Sequence, residues 1–153
     1  MKKVLVLLAA IVAFGFAANA QENALGVRAG GGQGYGAELS YQRNLGGNRL
    51  ELDLGINSHD KWMDFNLTGI YQWTGSIAGN FGWYAGVGAS LGFWDHAGDH
   101  DGFALALAGQ AGLEYKFDAV PIQLSLDIRP KFYFLPNTEF HWGDIAFGIR
   151  YCF

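Results

Sequence analysis

Apolar residues recur at every second position through most of this chain, and helical spacing is hard to find. Such alternation gives a strand one apolar face and one polar face. Eight runs carry it. "ALGVRAGG" sets Leu25, Val27 and Ala29 on one face, "YGAELSYQR" Tyr35, Ala37, Leu39 and Tyr41, and "RLELDLGIN" Leu50, Leu52, Leu54 and Ile56. "MDFNLTGIYQW" offers Met63, Phe65, Leu67, Tyr71 and Trp73, and "FGWYAGVGASLGF" Trp83, Ala85, Val87, Ala89, Leu91 and Phe93. "FALALAGQAGLEY" follows with Phe103, Leu105, Leu107, Ala111, Leu113 and Tyr115, and "IQLSLDI" with Ile122, Leu124, Leu126 and Ile128. The eighth run is "DIAFGIRYCF". Tight connections at "NLGGN", "TGSIAGN" and "DAVP" alternate with gaps at "GGQG", "SHDK", "WDHAGDHD" and "LPNTEFHW".

Eight consecutive antiparallel strands predict an all-β, up-and-down barrel, because closure removes the two edges an open sheet would expose. The interior of an eight-stranded barrel is just wide enough for side chains to fill. Two kinds of barrel share the pattern: a soluble one, apolar inside, and a membrane-spanning one, apolar outside.

The residues on the second face separate them. That face is rich in small side chains: Gly26, Gly30, Ser40, Gly55, Thr68, Gly86, Gly88, Ser90, Ala104, Ala106, Ala108, Gly112, Ser125, Ala146 and Gly148. A soluble exterior would carry long charged side chains instead. The same face holds Arg28, Glu38, Glu51, Asp53, Glu114, Asp127, Arg129 and Arg150, charges that hydrocarbon would not tolerate. The reading is a transmembrane β-barrel with a narrow lumen. Closure sets the first strand beside the eighth, which predicts a lumenal salt-bridge network around Arg28 and Arg150 that includes Glu38, Glu51, Asp53 and Glu114. The alternative is a wet pore with hydrated, unpaired charges. Aromatic residues gather at the ends of the runs, with Trp73, Phe81, Trp83, Tyr115, Tyr151 and Phe153 at one rim. Trp62, Phe65, Phe93, Trp94, Phe103, Phe132, Phe140 and Trp142 belong to the other, as girdles at two membrane interfaces. Pro130 has no N–H for a ladder, so the seventh strand is expected to bulge or leave the ladder there, near the outer rim.

The start of the chain has another purpose. Lys2 and Lys3 precede "VLVLLAAIVAFGFAA" and then "ANA", the pattern of a cleaved secretory signal peptide over residues 1–20. The barrel domain is then 21–153. Without Lys2 and Lys3 the ten basic side chains fall to eight against fourteen acidic ones, a balance that argues against nucleic acid. Cys152 is the only cysteine, so no internal disulfide forms.

Ile145, Phe147, Ile149, Tyr151 and Phe153 alternate up to a final aromatic. This resembles the C-terminal assembly signal of bacterial outer-membrane β-barrels. With the signal peptide, eight runs and girdles, the chain resembles the small eight-stranded outer-membrane barrel proteins along its whole mature length. The resemblance implies a bacterial outer-membrane location, contact with outer-membrane lipid, and a last strand read by the barrel-insertion machinery.

Candidates for chemistry are few. Ser58, His59 and Asp60 are adjacent, with no spacing that marks a nucleophile and its base. "GVGASLG" has the wrong spacing for a dinucleotide site, and "GGGQGYG" lacks the Lys-Ser/Thr of a phosphate loop. His59, His96, His100 and His141 all fall on the outer side. In "DHAGDHD", Asp95, His96, Asp99, His100 and Asp101 are the candidate metal ligands; otherwise they form a solvated loop. No cofactor is expected. The expected role is structural or interactive, with an outer-membrane protein as partner or as fellow subunit of a larger assembly. A small-solute channel and a lipid-modifying enzyme are the alternatives.

Overall fold

The computed structural model describes residues 22–31, 36–59, 62–96 and 102–153. Eight strands run in chain order: β1 (Asn23–Gly31), β2 (Ala37–Asn44), β3 (Asn48–His59), β4 (Trp62–Ala78), β5 (Phe81–His96), β6 (Gly102–Lys116), β7 (Ile122–Leu135) and β8 (Glu139–Cys152). Each pairs antiparallel with its sequence neighbours, and β8 pairs with β1 from Ala24↔Cys152 to Gly31↔Ile145, which closes the barrel. Phe153 completes the seam: its N–H donates to the Asn23 carbonyl at 2.8 Å, and the Asn23 N–H donates back at 3.0 Å.

Alternation fixes which way each side chain points. Val27, Leu39, Leu67, Val87, Leu107, Leu126, Phe147 and Ile149 are all exposed on the outer wall. Ser40, Thr68, Ser90, Ala106, Ala108 and Ala146 are buried in the lumen with the charged residues. The barrel is therefore apolar outside and polar inside. Among the aromatics expected at the rims, Trp73, Phe81, Trp83, Tyr115 and Tyr151 are exposed near the end that holds Asn23 and Phe153. Phe93, Phe103, Phe132, Phe140 and Trp142 are exposed towards the other end. The side chains of Trp62 and Trp94 lie outside the described set.

Three features differ from the sequence reading. First, the strands run further than the eight runs. The "SHDK" gap is partly β3, which reaches His59, and the "TGSIAGN" connection contracts to Gly79–Asn80. "LPNTEFHW" is mostly strand, because β7 extends to Leu135 and β8 begins at Glu139. Phe132, Phe134, Phe140 and Trp142 continue the outward alternation past Pro130, which had hidden it.

Second, β7 leaves the β6 ladder at Pro130, one of the two outcomes expected there, whereas the bulge opposite Pro130 belongs to β8. The β7–β8 register steps between Arg129↔Asp144 and Lys131↔His141, so Trp142 and Gly143 face the single residue Pro130. Gly143 has φ +87, the left-handed glycine conformation of such bulges. The β6–β7 ladder also passes from Ala111↔Ile128 to Ala108↔Lys131 without pairing at Pro130.

Third, the strands are unequal. β1 has 9 residues and β2 has 8, whereas β4 has 17, β5 has 16 and β8 has 14. Part of the difference lies at the Asn23/Phe153 end, where Thr74–Ala78 of β4 run beyond the last β3 partner, Asn48, and pair with β5 alone. No helix among the described residues is long and apolar enough to cross a membrane, a test that does not bear on strands.

Candidate functional site: the lumenal network

The centre of the barrel is a connected array of buried polar side chains to which every strand contributes. Glu51 of β3 is its hub. It accepts hydrogen bonds from Gln42, from Gln110 at 2.9 Å, from Arg129 at 2.9 Å and from Arg150 at 3.2 Å. Arg129 of β7 also binds Glu38 at 3.0 Å and pairs with Asp53. Arg28 of β1 bridges Glu38 at 3.0 Å and Asp127 at 2.6 Å. Tyr84 of β5 donates to the other Asp127 oxygen at 2.9 Å. Arg150 of β8 donates to Ser40 at 2.9 Å and Ser125 at 2.7 Å.

Towards the Asn23/Phe153 end the network continues. Arg49 pairs with Glu114 at 2.6 Å and donates to Gln72 at 2.6 Å, and its guanidinium lies 5.0 Å from the Tyr84 ring centroid. Gln72 reaches Gln110 at 2.6 Å, and Gln123 bridges Gln42 and Glu114 at 3.1 Å each.

Among the described residues, four buried arginines (Arg28, Arg49, Arg129, Arg150) face five buried carboxylates (Glu38, Glu51, Asp53, Glu114, Asp127). All have ion-pair partners, which is the condition for holding charge away from water.

Small neighbours make room for these long side chains. A Cβ on Gly112 would lie 2.5 Å from the Tyr84 ring, and one on Gly148 would lie 2.7 Å from Arg150 Nη1. Tyr84 therefore lies across Gly112, and Arg150 across Gly148. Among the described residues Ile70 is the lone large aliphatic in this interior, fully buried; a Cβ on Gly86 would lie 2.7 Å from its Cγ2.

The six residues assigned to the network from sequence all face the lumen, but its centre lies at Glu51 and Arg129 rather than at Arg28 and Arg150. Arg129 and Asp127 were read as polar-face charges and not placed in the network. Arg49, Tyr84, Gln42, Gln72, Gln110 and Gln123 were not singled out. Their signal was parity, since each sits between outward apolar residues. The barrel stagger decides which of them meet.

Ile145, Phe147, Ile149 and Tyr151 are exposed on the outer wall, and Phe153 stacks on Tyr151 with ring centroids 6.3 Å apart. Among the proposed metal ligands, Asp99, His100 and Asp101 lie outside the described residues, and so do the side chains of Asp95 and His96. Ser58 and His59 lie in β3 with side chains outside the described set, and Asp60 is not described. His141 Nε2 lies 3.3 Å from Glu139 Oε2, and its ring meets Tyr133 edge-on. No group of three metal-binding side chains occurs among the described residues.

No protein-family model matches the chain, and no curated protein matches it. Among solved structures it is similar to the crystal structure of Neisserial surface protein A (NspA), with a TM-score of 0.59 and 15% identity. The match covers 86% of this chain and 95% of that one. At that identity the likeness is one of fold: this chain has the architecture of a small eight-stranded outer-membrane barrel.

Proposed function

We propose that the protein is an integral barrel of the bacterial outer membrane with a structural or interaction role, and that its lumen does not conduct. Export through a cleaved signal peptide and insertion by the barrel-assembly machinery, acting on β8, belong to the same reading. So does an orientation with both termini in the periplasm.

The observation that carries the reading is the filled lumen. Glu51, Asp53, Arg129 and Arg150 span the barrel from β3 to β7 and β8 and are each at most 2% exposed. An ion crossing this layer would have to displace paired charges, at a cost of several kcal/mol for each group left bare. Among the described residues the outer wall carries no comparable chemistry. It offers apolar side chains to lipid and to whatever membrane protein lies beside it, so any specific function falls to the rims and the outer surface.

Conductance across a planar bilayer holding the purified, refolded barrel tests the reading. Flat current traces in molar salt are expected. Stable unitary steps that disappear when the protein is heat-unfolded would replace it with the small-solute channel.

A further inference from the structure

Among the described residues, the middle of the lumen holds one carboxyl group more than it holds guanidiniums. Arg28, Arg129 and Arg150 are the buried cations of this layer, and they bind Glu38, Glu51, Asp53 and Asp127. Arg49 lies nearer the Asn23/Phe153 end, where Glu114 pairs with it and, at 3.6 Å, with the exposed Lys116. Asp64 of β4 and Lys131 of β7 follow the layer towards the other end, are partly exposed, and balance each other in charge. The surplus therefore stays in the buried layer.

It falls at one place. Glu51 and Asp53 are two residues apart on β3, both fully buried, and both accept from the same atom, Arg129 Nη2. Two carboxylates sharing one nitrogen in a buried layer repel each other strongly. Their donors are unequally divided. Glu51 accepts four hydrogen bonds, at Oε1 from Gln110 and Arg129 and at Oε2 from Gln42 and Arg150, and is thereby solvated as an anion. Asp53 accepts from Arg129 at Oδ2, while its Oδ1 is buried with no donor. Ser40 and Thr68, the ladder neighbours of Asp53, bond instead to Arg150 and to Asn66 and Ser90. Glu38 accepts from both Arg28 and Arg129, and Asp127 from Arg28 and Tyr84.

A buried anionic oxygen without a donor is costly. A hydrogen on Asp53 removes the surplus charge and turns the orphan acceptor into a donor. The Glu51 carboxyl lies within hydrogen-bonding reach of it.

We propose that Asp53 is the seat of a single proton that the folded barrel retains at neutral pH, held against the Glu51 carboxylate. Arg28, Arg129 and Arg150 then face Glu38, Glu51 and Asp127 charge for charge. In the unfolded chain an exposed aspartate ionises at about pH 4, so unfolding at neutral pH releases this proton to solvent. Rising pH therefore favours unfolding, and the barrel is held more firmly under mildly acidic conditions.

Infrared spectroscopy of the protein refolded in a detergent without ester carbonyls tests this at neutral pH. The unaltered protein should show the C=O stretch of one un-ionised carboxyl, shifted in heavy water, and Asp53→Asn should lack it. Urea unfolding of amide variants identifies the seat. Asp53→Asn copies the shape and charge of the neutral acid, so its midpoint should match that of the unaltered protein at neutral pH. Glu38→Gln, Glu51→Gln and Asp127→Asn should each lower it. From about pH 5 to neutrality, the unfolding constant of the unaltered protein should rise by up to about tenfold per pH unit relative to Asp53→Asn, as release of one proton requires. That comparison cancels the titration of the histidines. An absent acid band, or parallel pH curves, would overturn the proposal, with an internal water or a cation supplying what Oδ1 lacks. A midpoint kept by one of the other three variants and lost by Asp53→Asn, failure to refold included, would overturn it by moving the proton to that residue. The inference rests on the filled lumen of the reading above. Stable current steps across a bilayer would remove both, whereas flat traces without the acid band remove the proton alone.

Discussion

Arg129 shows what one inward side chain does in a barrel this narrow. It joins Glu38, Glu51 and Asp53, three carboxylates from two other strands. Arg129→Met would leave those carboxylates with fewer cations in a dry interior. A loss of about 3–5 kcal/mol is predicted, read from urea unfolding of the barrel in lipid vesicles. A loss below about 1 kcal/mol would show that water already shares these charges. The small residues are as constrained as the large ones. Gly112→Leu places its side chain against the Tyr84 ring and Asp127, where Cβ alone would be 2.5 Å and 2.7 Å from its neighbours. It should cost about 1–3 kcal/mol by the same measurement. Gly92→Ala, whose Cβ would meet only the Ala104 methyl at 3.4 Å, should be almost neutral.

β8 gathers most of what is unusual about the elements. It closes the barrel, and it contains a bulge. The bulge depends on Gly143, where a Cβ would lie 1.9 Å from the Arg129 carbonyl oxygen and the backbone is already left-handed. Gly143→Ala is predicted to destabilise the barrel by more than about 1 kcal/mol and to disturb the pairing of Arg129 with Asp144. Gly79→Ala, also at positive φ but facing open space, should cost no more than about 1 kcal/mol. Comparing the two by unfolding separates backbone strain from steric conflict. The sequence signalled this region through Pro130, which cannot donate to a ladder, but not which strand would take up the extra residue. That depends on the neighbour across the seam, and alternation within one strand carries no information about it. The lengths of β7 and β8 were obscured for the same reason: a proline and the "LPN" turn interrupt an alternation that Phe132, Phe134, Phe140 and Trp142 otherwise sustain.

At the scale of the molecule, closure and facing were legible because the barrel obeys one rule throughout: odd and even positions of each strand see different media. Val27, Val87 and Ile149 follow it on the outside and Ser40, Thr68 and Ala146 on the inside. Which lumenal charges meet was less legible, because it depends on stagger accumulated around eight strands; Arg28 reaches Asp127 across 99 residues of sequence. The unequal lengths of the described strands were hidden too, since the glycines around Gly31 and Gly36 break the alternation. The apolar exterior implies a depth-dependent penalty for charge. Val87→Arg, midway along β5 between Trp83 and Phe93, should cost about 2–4 kcal/mol in vesicles, whereas Trp73→Arg at the girdle should cost about 0–1 kcal/mol.

The claim beneath all of this is that the apolar wall faces hydrocarbon. Nitroxide labels at Val87, Leu126, Phe147 and Ile149, one at a time in a Cys152→Ser background, test it directly in reconstituted vesicles. Collision with oxygen should exceed collision with a water-soluble nickel chelate at all four sites, most strongly for Val87 and Phe147. Labels at these positions that meet the nickel complex freely and oxygen poorly would mean that the wall faces water, and the membrane account would be wrong.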